Sequence, residues 1–304
     1  MKETIFLTGG SGLLALNWAI RVRNKYNVVL GLHDRQIQIL GVRAVSVNLD
    51  SISDFESILK KFNPSLVIHT AGLTSVEVCE LNPKLAKHIN VSIAENVAKA
   101  TSSLGIKMVQ ISTDHLFSGD ELFAEETYPI APCNVYGVTK AEAEVAVLQE
   151  NPRALVVRTN FYGWGPSYRV SFSDLIISKL RSKKEIALFE DVYYSPILAE
   201  TLIDKVHELV ESKAEGIFNV VSSERISKYS FGQLIARYFE LDSKYIIKGW
   251  VKDNPSLVKR PMDMSLSNKK AIQILKKKFG SIDDQIIRLR EQEALGLINE
   301  IKNL

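Results

Sequence analysis

Apolar positions along the chain follow two alternating rhythms. Short β-branched runs alternate with longer stretches in which apolar residues recur at helical spacing. The run at 4–7 reads as a buried strand, and those at 28–32, 42–47, 66–69, 107–111 and 154–158 as further strands. The stretches at 13–25, 51–62, 83–104 and 134–149 read as helices, with Ser51 or Ser53 as N-cap of the second. This alternation predicts βαβ units and a parallel sheet covered on both faces. Right-handed crossovers then give an α/β fold, a Rossmann-type doubly wound parallel sheet.

Past Gly163 the rhythm loosens, and Gly163, Gly165 and Pro166 mark a loop. Runs at 186–189 and 216–221 read as strands that partly rejoin the sheet and partly build a second lobe. The expected organisation is a dinucleotide-binding domain over 1–162 and a smaller C-terminal substrate lobe over 163–304. The stretch from about 185 to 225 is expected to return to the first domain. The lysine-rich C-terminus reads as helices at 269–278 and 282–302 with solvated faces.

Composition narrows the function classes. The chain has 304 residues, 46% hydrophobic and 24% charged, enough for a substantial core. A formal charge of +3 leaves no domain-wide basic excess, which argues against a nucleic-acid partner. Two cysteines without a C-x-x-C, and five histidines without zinc-ligand spacing, argue against a disulfide framework or a metal site. No apolar run reaches the length of a membrane span, and no signal-peptide pattern precedes the first strand. A cytoplasmic protein without a membrane partner is the default expectation.

The segment Thr8-Gly9-Gly10-Ser11-Gly12-Leu13-Leu14-Ala15 joins the first strand to the first helix. Gly9 permits a tight turn, Gly12 a close backbone approach to a pyrophosphate, and the helix N-terminus offers free N–H groups. At the first βα junction this pattern points to dinucleotide binding. The second strand ends in Leu32-His33-Asp34-Arg35. An arginine there suits a 2′-phosphate, while Asp34 opposes it, and the balance favours NADP(H) over NAD(H). Leu49 and Asp50 end the third strand, where Asp50 either reaches the adenine or caps the next helix.

Tyr136-Gly137-Val138-Thr139-Lys140 places tyrosine and lysine at i and i+4, on one helix face. A free tyrosine has a pKa near ~10, and a neighbouring ammonium is expected to lower it. Tyr136 then serves as general acid toward a carbonyl being reduced. Ser112 and Thr113 end the fifth strand, where a hydroxyl can donate to a developing oxyanion.

With these residues in view, the chain resembles the dTDP-4-dehydrorhamnose reductase family of extended short-chain dehydrogenases. It is also similar to a relative of that family, the regulatory β subunit of methionine adenosyltransferase. The matching segments are TGGSGLLA, IHTAGLTSVEVCE, ISTDHLFSGD, NVYGVTKAEAE, VVRTNFYGWG, DVYYSP, GIFNVVSSERIS and KRPMDMSL, in family order. The resemblance implies Tyr136 and Lys140 as the active-site pair and Thr113 as the third catalytic hydroxyl. It implies Gly9, Gly12, Leu13 and Leu14 at the pyrophosphate, Ala71, Gly72 and Leu73 beneath the cofactor, and Ile111 beside the nicotinamide. It places Thr74, Ser75, Val76, Asp114 and Phe161 toward the sugar, and Arg260 near the nucleotide diphosphate.

Some positions depart from the family. His115 replaces a usual tyrosine, and either touches substrate or fills that space. The segment Asp191–Pro196 lacks a usual glutamine, and Ile197 replaces a threonine. The implied activity is NAD(P)H-dependent reduction of a 4-keto group on a nucleotide-linked deoxysugar, by a monomer or homodimer. An epimerase, or a combined epimerase/reductase, is the first alternative, with His115 as its extra acid/base group. Related GDP-fucose synthases carry a cysteine at the position of Asp114, and its absence favours the plain reductase. The second alternative is a dinucleotide-binding regulatory subunit without turnover.

Overall fold

The computed structural model describes residues 2–304. Seven strands form one parallel sheet: β1 (Thr4–Thr8), β2 (Asn27–Leu32), β3 (Arg43–Ser46), β4 (Leu66–His69), β5 (Lys107–Ile111), β6 (Leu155–Arg158) and β7 (Gly216–Asn219). Their order is β3-β2-β1-β4-β5-β6-β7. The chain direction of the crossovers reverses between β1 and β4, which opens a crevice at the carboxyl ends of these strands.

Alternation along each strand packs the two faces of the sheet, which together make the first core. Ile5, Leu7, Leu30, Ile68, Val109 and Val157 face α1 (Leu13–Val22) and a later helix, Ala199–Glu211. Phe6, Val29, Val67, Met108 and Val156 face α2 (Ile52–Phe62), α3 (Ile93–Ser103) and α4 (Val135–Glu150). Strands buried on both sides must be apolar at nearly every position, as the sequence runs show. Ser51 caps α2 by accepting from the Asp54 N–H, so neither Ser53 nor Asp50 has that role.

Three elements differ from expectation. The helix expected over 83–104 is interrupted: Pro83–Lys87 passes into a π-helical turn at His88–Ser92 before α3 begins. The wide turn carries Asn90, buried and bonded outside the helix, which compensates for the broken ladder. Within 185–225, Ala199–Glu211 and β7 return to the sheet side, but Ile186–Phe189 pairs with Ile246–Gly249 in a separate two-stranded sheet. The helix expected over 282–302 is two helices, Ile282–Ala294 and Leu297–Lys302, separated by Gly296 at φ 73°. A left-handed glycine at that point ends the first helix without a Cβ clash.

The remaining elements pack a second core around Phe231, whose ring meets Tyr162 and Tyr194 edge-on and stacks on Phe172. The indole N–H of Trp164 donates to the Leu289 carbonyl at 3.1 Å, tying the end of the sheet segment to the C-terminal helices. No helix among the described residues is long and apolar enough to cross a membrane.

One buried ion pair locks α4 to the sheet. Arg158 at the end of β6 meets Glu144 on α4, with Nη2–Oε2 at 2.7 Å and Nε–Oε1 at 3.0 Å. Their side chains are 1% and 2% exposed. Ser112, just past β5, donates to the same carboxylate at 2.5 Å. Removing one partner of a buried pair strands the other charge in the interior. Arg158→Met is therefore expected to lower unfolding free energy by about 3–5 kcal/mol in urea titration. Arg153→Ala, which removes the exposed Arg153–Glu215 pair, is expected to cost no more than about 1 kcal/mol.

Candidate active site

A cleft of about 910 Å³ follows the carboxyl ends of the central strands. At one end lies the glycine turn after β1. Gly9 sits at φ 65°, and a Cβ there would approach the Ala71 nitrogen to 2.7 Å. A Cβ on Gly12 would meet the Gly9 carbonyl at 3.0 Å. The turn therefore admits only glycine at Gly9 and leaves its backbone open to the cleft. Gly12 is the N-cap of α1 and makes no side-chain cap, unlike Ser51 at α2 and Asn134 at α4. The first N–H groups of α1 thus face the cleft without a side-chain acceptor, suited to an anion. Gly9, Gly12, Leu13 and Leu14 all line this end.

Farther along, Arg35, Leu49 and Asp50 line the wall beyond β2 and β3. Asp34 does not join them: it is exposed and lies 3.0 Å from His33 Nδ1. Asp50 meets His88 Nε2 at 3.0 Å, a partner supplied by the π turn. Ala71, Gly72 and Ile111 line the floor. Leu73 does not line the cleft. Its backbone N–H and carbonyl are held by Asn90, at 2.8 and 3.1 Å, and its side chain packs with Val76, Cys79 and Tyr136. Asn90 also donates to Thr139 Oγ1 at 3.0 Å, joining this segment to α4.

Thr113, Asp114, His115, Tyr136, Lys140 and Phe161 converge at the other end. Asn134 caps α4 by accepting from the Gly137 N–H at 2.9 Å, which fixes the first turn carrying Tyr136. A Cβ at Gly137 would overlap the His115 carbonyl oxygen, so glycine is what lets this turn press against the Thr113–His115 segment. The Thr113 hydroxyl, beside Tyr136, donates to Asp114 Oδ1 at 3.3 Å and accepts from the His115 N–H at 3.3 Å. Lys140 Nζ donates to the Ile111 carbonyl at 2.7 Å. Asp114 accepts from Asn160 Nδ2 at 2.6 Å. The His115 ring meets the Tyr136 ring edge-on at 5.4 Å, and its Nδ1 is buried without a hydrogen-bond partner among the described residues.

Burial acts on both members of the pair. It pushes Tyr136 up to about 12, against the lowering effect of the neighbouring Thr113 hydroxyl. It pushes Lys140 down to about 8, against the attraction of Glu144 one helical turn on. Desolvation disfavours the charged form of each. The expectation that Lys140 would depress Tyr136 is thus reversed: burial is the largest influence on the phenol, and the cation that lowers it is Arg169. Burial likewise lowers His115, against Asp114.

Thr74 and Val76 line the cleft, but Ser75 does not: its hydroxyl caps the short helix Val76–Leu81. Arg260 is also off the cleft wall and forms an ion pair with Glu77.

A family model, RmlD substrate binding domain, matches residues 1–291. The chain belongs to this family. The probable low-salt glycan biosynthesis reductase Agl14 of Haloferax volcanii is 28% identical over 260 residues, 84% of this chain and 87% of that protein. Methionine adenosyltransferase 2 subunit beta of Pongo abelii is 27% identical over 276 residues, 87% of this chain and 80% of that protein. Among solved structures, dTDP-4-dehydrorhamnose reductase of Bacillus anthracis, in complex with NADP, superposes with a TM-score of 0.85. It is 23% identical and covers 96% of this chain and 100% of its own. The fold and family implied by the sequence motifs are both borne out.

Sequence reasoning missed Asn90, Glu144 and Arg158, which hold the site, and Tyr168 and Arg169, which line it. Arg158 had a legible signal, a lone charge in the apolar run Ala154–Arg158, and Glu144 had another, its spacing of four from Lys140. The loop residues had none.

The depressed Lys140 has a stability signature. Its folded value lies below its unfolded 10.5, so between about 8 and 10.5 the unfolded chain binds more protons. The cost of burying Lys140 is full below about 8 and is relieved as pH rises toward 10.5. Urea unfolding of wild type and Lys140→Met should show wild type gaining on the variant by about 3 kcal/mol across that interval.

Proposed function

We propose that the chain is an NAD(P)H-dependent reductase of a 4-keto group on a nucleotide-activated deoxysugar. The observation that carries this reading is one continuous cleft. It starts at an uncapped glycine turn and ends where Thr113 and Tyr136 stand on one wall and Lys140 is fixed on the Ile111 carbonyl. The cleft residues fit a nicotinamide dinucleotide. Gly9, Gly12, Leu13 and Leu14 would hold the pyrophosphate, Ala71 and Gly72 the floor, and Ile111 and Lys140 the nicotinamide end. A bound nicotinamide supplies the hydride. Family membership and the named reductases among the relatives support the reaction class.

In this reading Tyr136 is the general acid. At neutral pH it is protonated, as an ordinary phenol is, and that is the form that can give a proton to a carbonyl oxygen. Thr113 polarises the same oxygen, and Lys140 holds the cofactor ribose. Asp114, His115, Phe161, Thr74 and Val76 face the sugar. Arg260, with Glu77, stands behind them near the nucleotide diphosphate, and Ser75 and Leu73 act by shaping the wall. NADP(H) is favoured over NAD(H), because Arg35 lines the cleft while the competing carboxylate of Asp34 turns to solvent.

Consumption of NADPH with a dTDP-linked 4-keto-6-deoxyhexose, supplied with and without a 3,5-epimerase, tests this reading. An epimerase would convert the sugar without net loss of NADPH. The match to methionine adenosyltransferase 2 subunit beta favours a second reading, a regulatory dinucleotide-binding subunit. Tight cofactor binding without turnover of any keto-sugar, together with a stoichiometric complex with a synthetase, would establish it. If the reductase reading holds, Tyr136→Phe should lower kcat by roughly 10²–10⁴-fold with NADPH affinity nearly unchanged.

A further inference from the structure

The loop between Gly163 and Ser171 leaves the second core and crosses to the mouth of the cleft. Both of its ends are fixed. The Ser171 hydroxyl donates to the Gly163 carbonyl at 2.6 Å, and Asp174 Oδ2 accepts from the Gly165 N–H at 2.7 Å. Lys302, from the last helix, reaches the other oxygen of Asp174 at 2.8 Å. At the loop's crest Tyr168 makes two contacts with the cofactor half of the cleft. Its hydroxyl donates to the Ser11 carbonyl in the glycine turn at 2.9 Å. Its ring lies under the Arg35 guanidinium, 3.8 Å from Cζ to the ring centroid. The neighbouring Arg169 donates to Thr74 Oγ1 at 2.7 Å, a third tie across the mouth.

Arg35 is otherwise unengaged. Among the described residues no hydrogen bond or ion pair holds it, and the adjacent acid pairs with His33. A guanidinium stacked on one face by tyrosine keeps its N–H edge free for an anion. A long arginine side chain left to itself samples many rotamers, and fixing it beforehand reduces the ordering cost when a phosphate arrives. Tyr168 provides that restraint, and its hydroxyl ties the ring to the turn that would carry the pyrophosphate.

We propose that Tyr168 is a positioning residue for cofactor choice: it holds Arg35 where the 2′-phosphate of NADP(H) would lie. The inference rests on the NADP(H) reading above. The loop thus couples the second lobe to recognition at the far end of the dinucleotide, away from the reacting carbonyl.

The test is fluorescence titration of the full chain with NADPH and NADH, in the absence of sugar. Four proteins are compared with wild type: Tyr168→Phe, Tyr168→Ala, Arg35→Ala and the double variant Arg35→Ala/Tyr168→Ala. Tyr168→Ala should lower the preference for NADPH over NADH by roughly 3- to 30-fold. Tyr168→Phe keeps the ring and should keep the preference, even if both cofactors bind somewhat less tightly. Once Arg35 is gone, Tyr168→Ala should change the preference no further, since the two residues act as one unit. Equal weakening of both cofactors by Tyr168→Ala would overturn the proposal and leave the ring as a cover of the cleft. Loss of preference in Tyr168→Phe as large as in Tyr168→Ala would also overturn it. If Arg35→Ala leaves the preference of wild type intact, the NADP(H) reading of Arg35 itself has failed, whatever Tyr168 does.

Discussion

The buried Arg158–Glu144 pair is the fastening on which the site depends. Glu144 is the third member of a helix face that also carries Tyr136 and Lys140, each four residues apart. Arg158 ends β6, and Ser112, on the same carboxylate, follows β5. One carboxylate therefore sets the helix against two strand ends at once. The spacing between Lys140 and the Ile111 carbonyl, and between Tyr136 and Thr113, follows from that single junction. An interior ion pair rarely adds net stability over apolar packing, but it tolerates few alternative geometries. Here it fixes the register of a helix whose Tyr136 and Lys140 side chains both line the cleft.

The same dryness that makes the pair costly to break controls the chemistry. Tyr136 and Lys140 share one buried wall, and burial favours the neutral form of both. The tyrosine keeps its proton, which suits a proton donor. Burial pushes the lysine down and Glu144 partly offsets that, so the structural carboxylate also acts on Lys140. Beneath Tyr136, Cys79 and Leu73 complete an apolar packing that excludes water from its ring.

Much of this was legible in the chain. Strand positions buried on both faces must be apolar, so β1, β2, β4, β5 and β6 appear as short apolar runs; the edge strand β3 is largely exposed, and β7 was visible as a strand that partly rejoins. The glycine turn and the Tyr136–Lys140 spacing are local patterns that keep their meaning in any context. What the sequence did not reveal depends on neighbours far apart in the chain. The π turn at His88–Ser92 exists because Asn90 finds partners on Leu73 and Thr139. Arg260 is drawn off the cleft wall by Glu77, and Asp34 is drawn outward to His33. The rise of Tyr136 depends on how deeply it is enclosed, a property of the packed fold and not of its spacing from Lys140. Tyr168 sits in an irregular loop with no periodicity to read.

The proposed hydride delivery at the Thr113–Tyr136–Lys140 end of the cleft is tested most directly by isotope transfer. NADPH deuterated at the reactive nicotinamide carbon would be supplied with a nucleotide-linked 4-keto-6-deoxyhexose, and the sugar read by NMR. Deuterium at carbon 4 of the sugar, on one face only, is the result that a reductive site predicts. Cofactor bound in the cleft with no deuterium in any keto-sugar offered would contradict it, and would leave the chain as a dinucleotide-binding protein that performs no reduction.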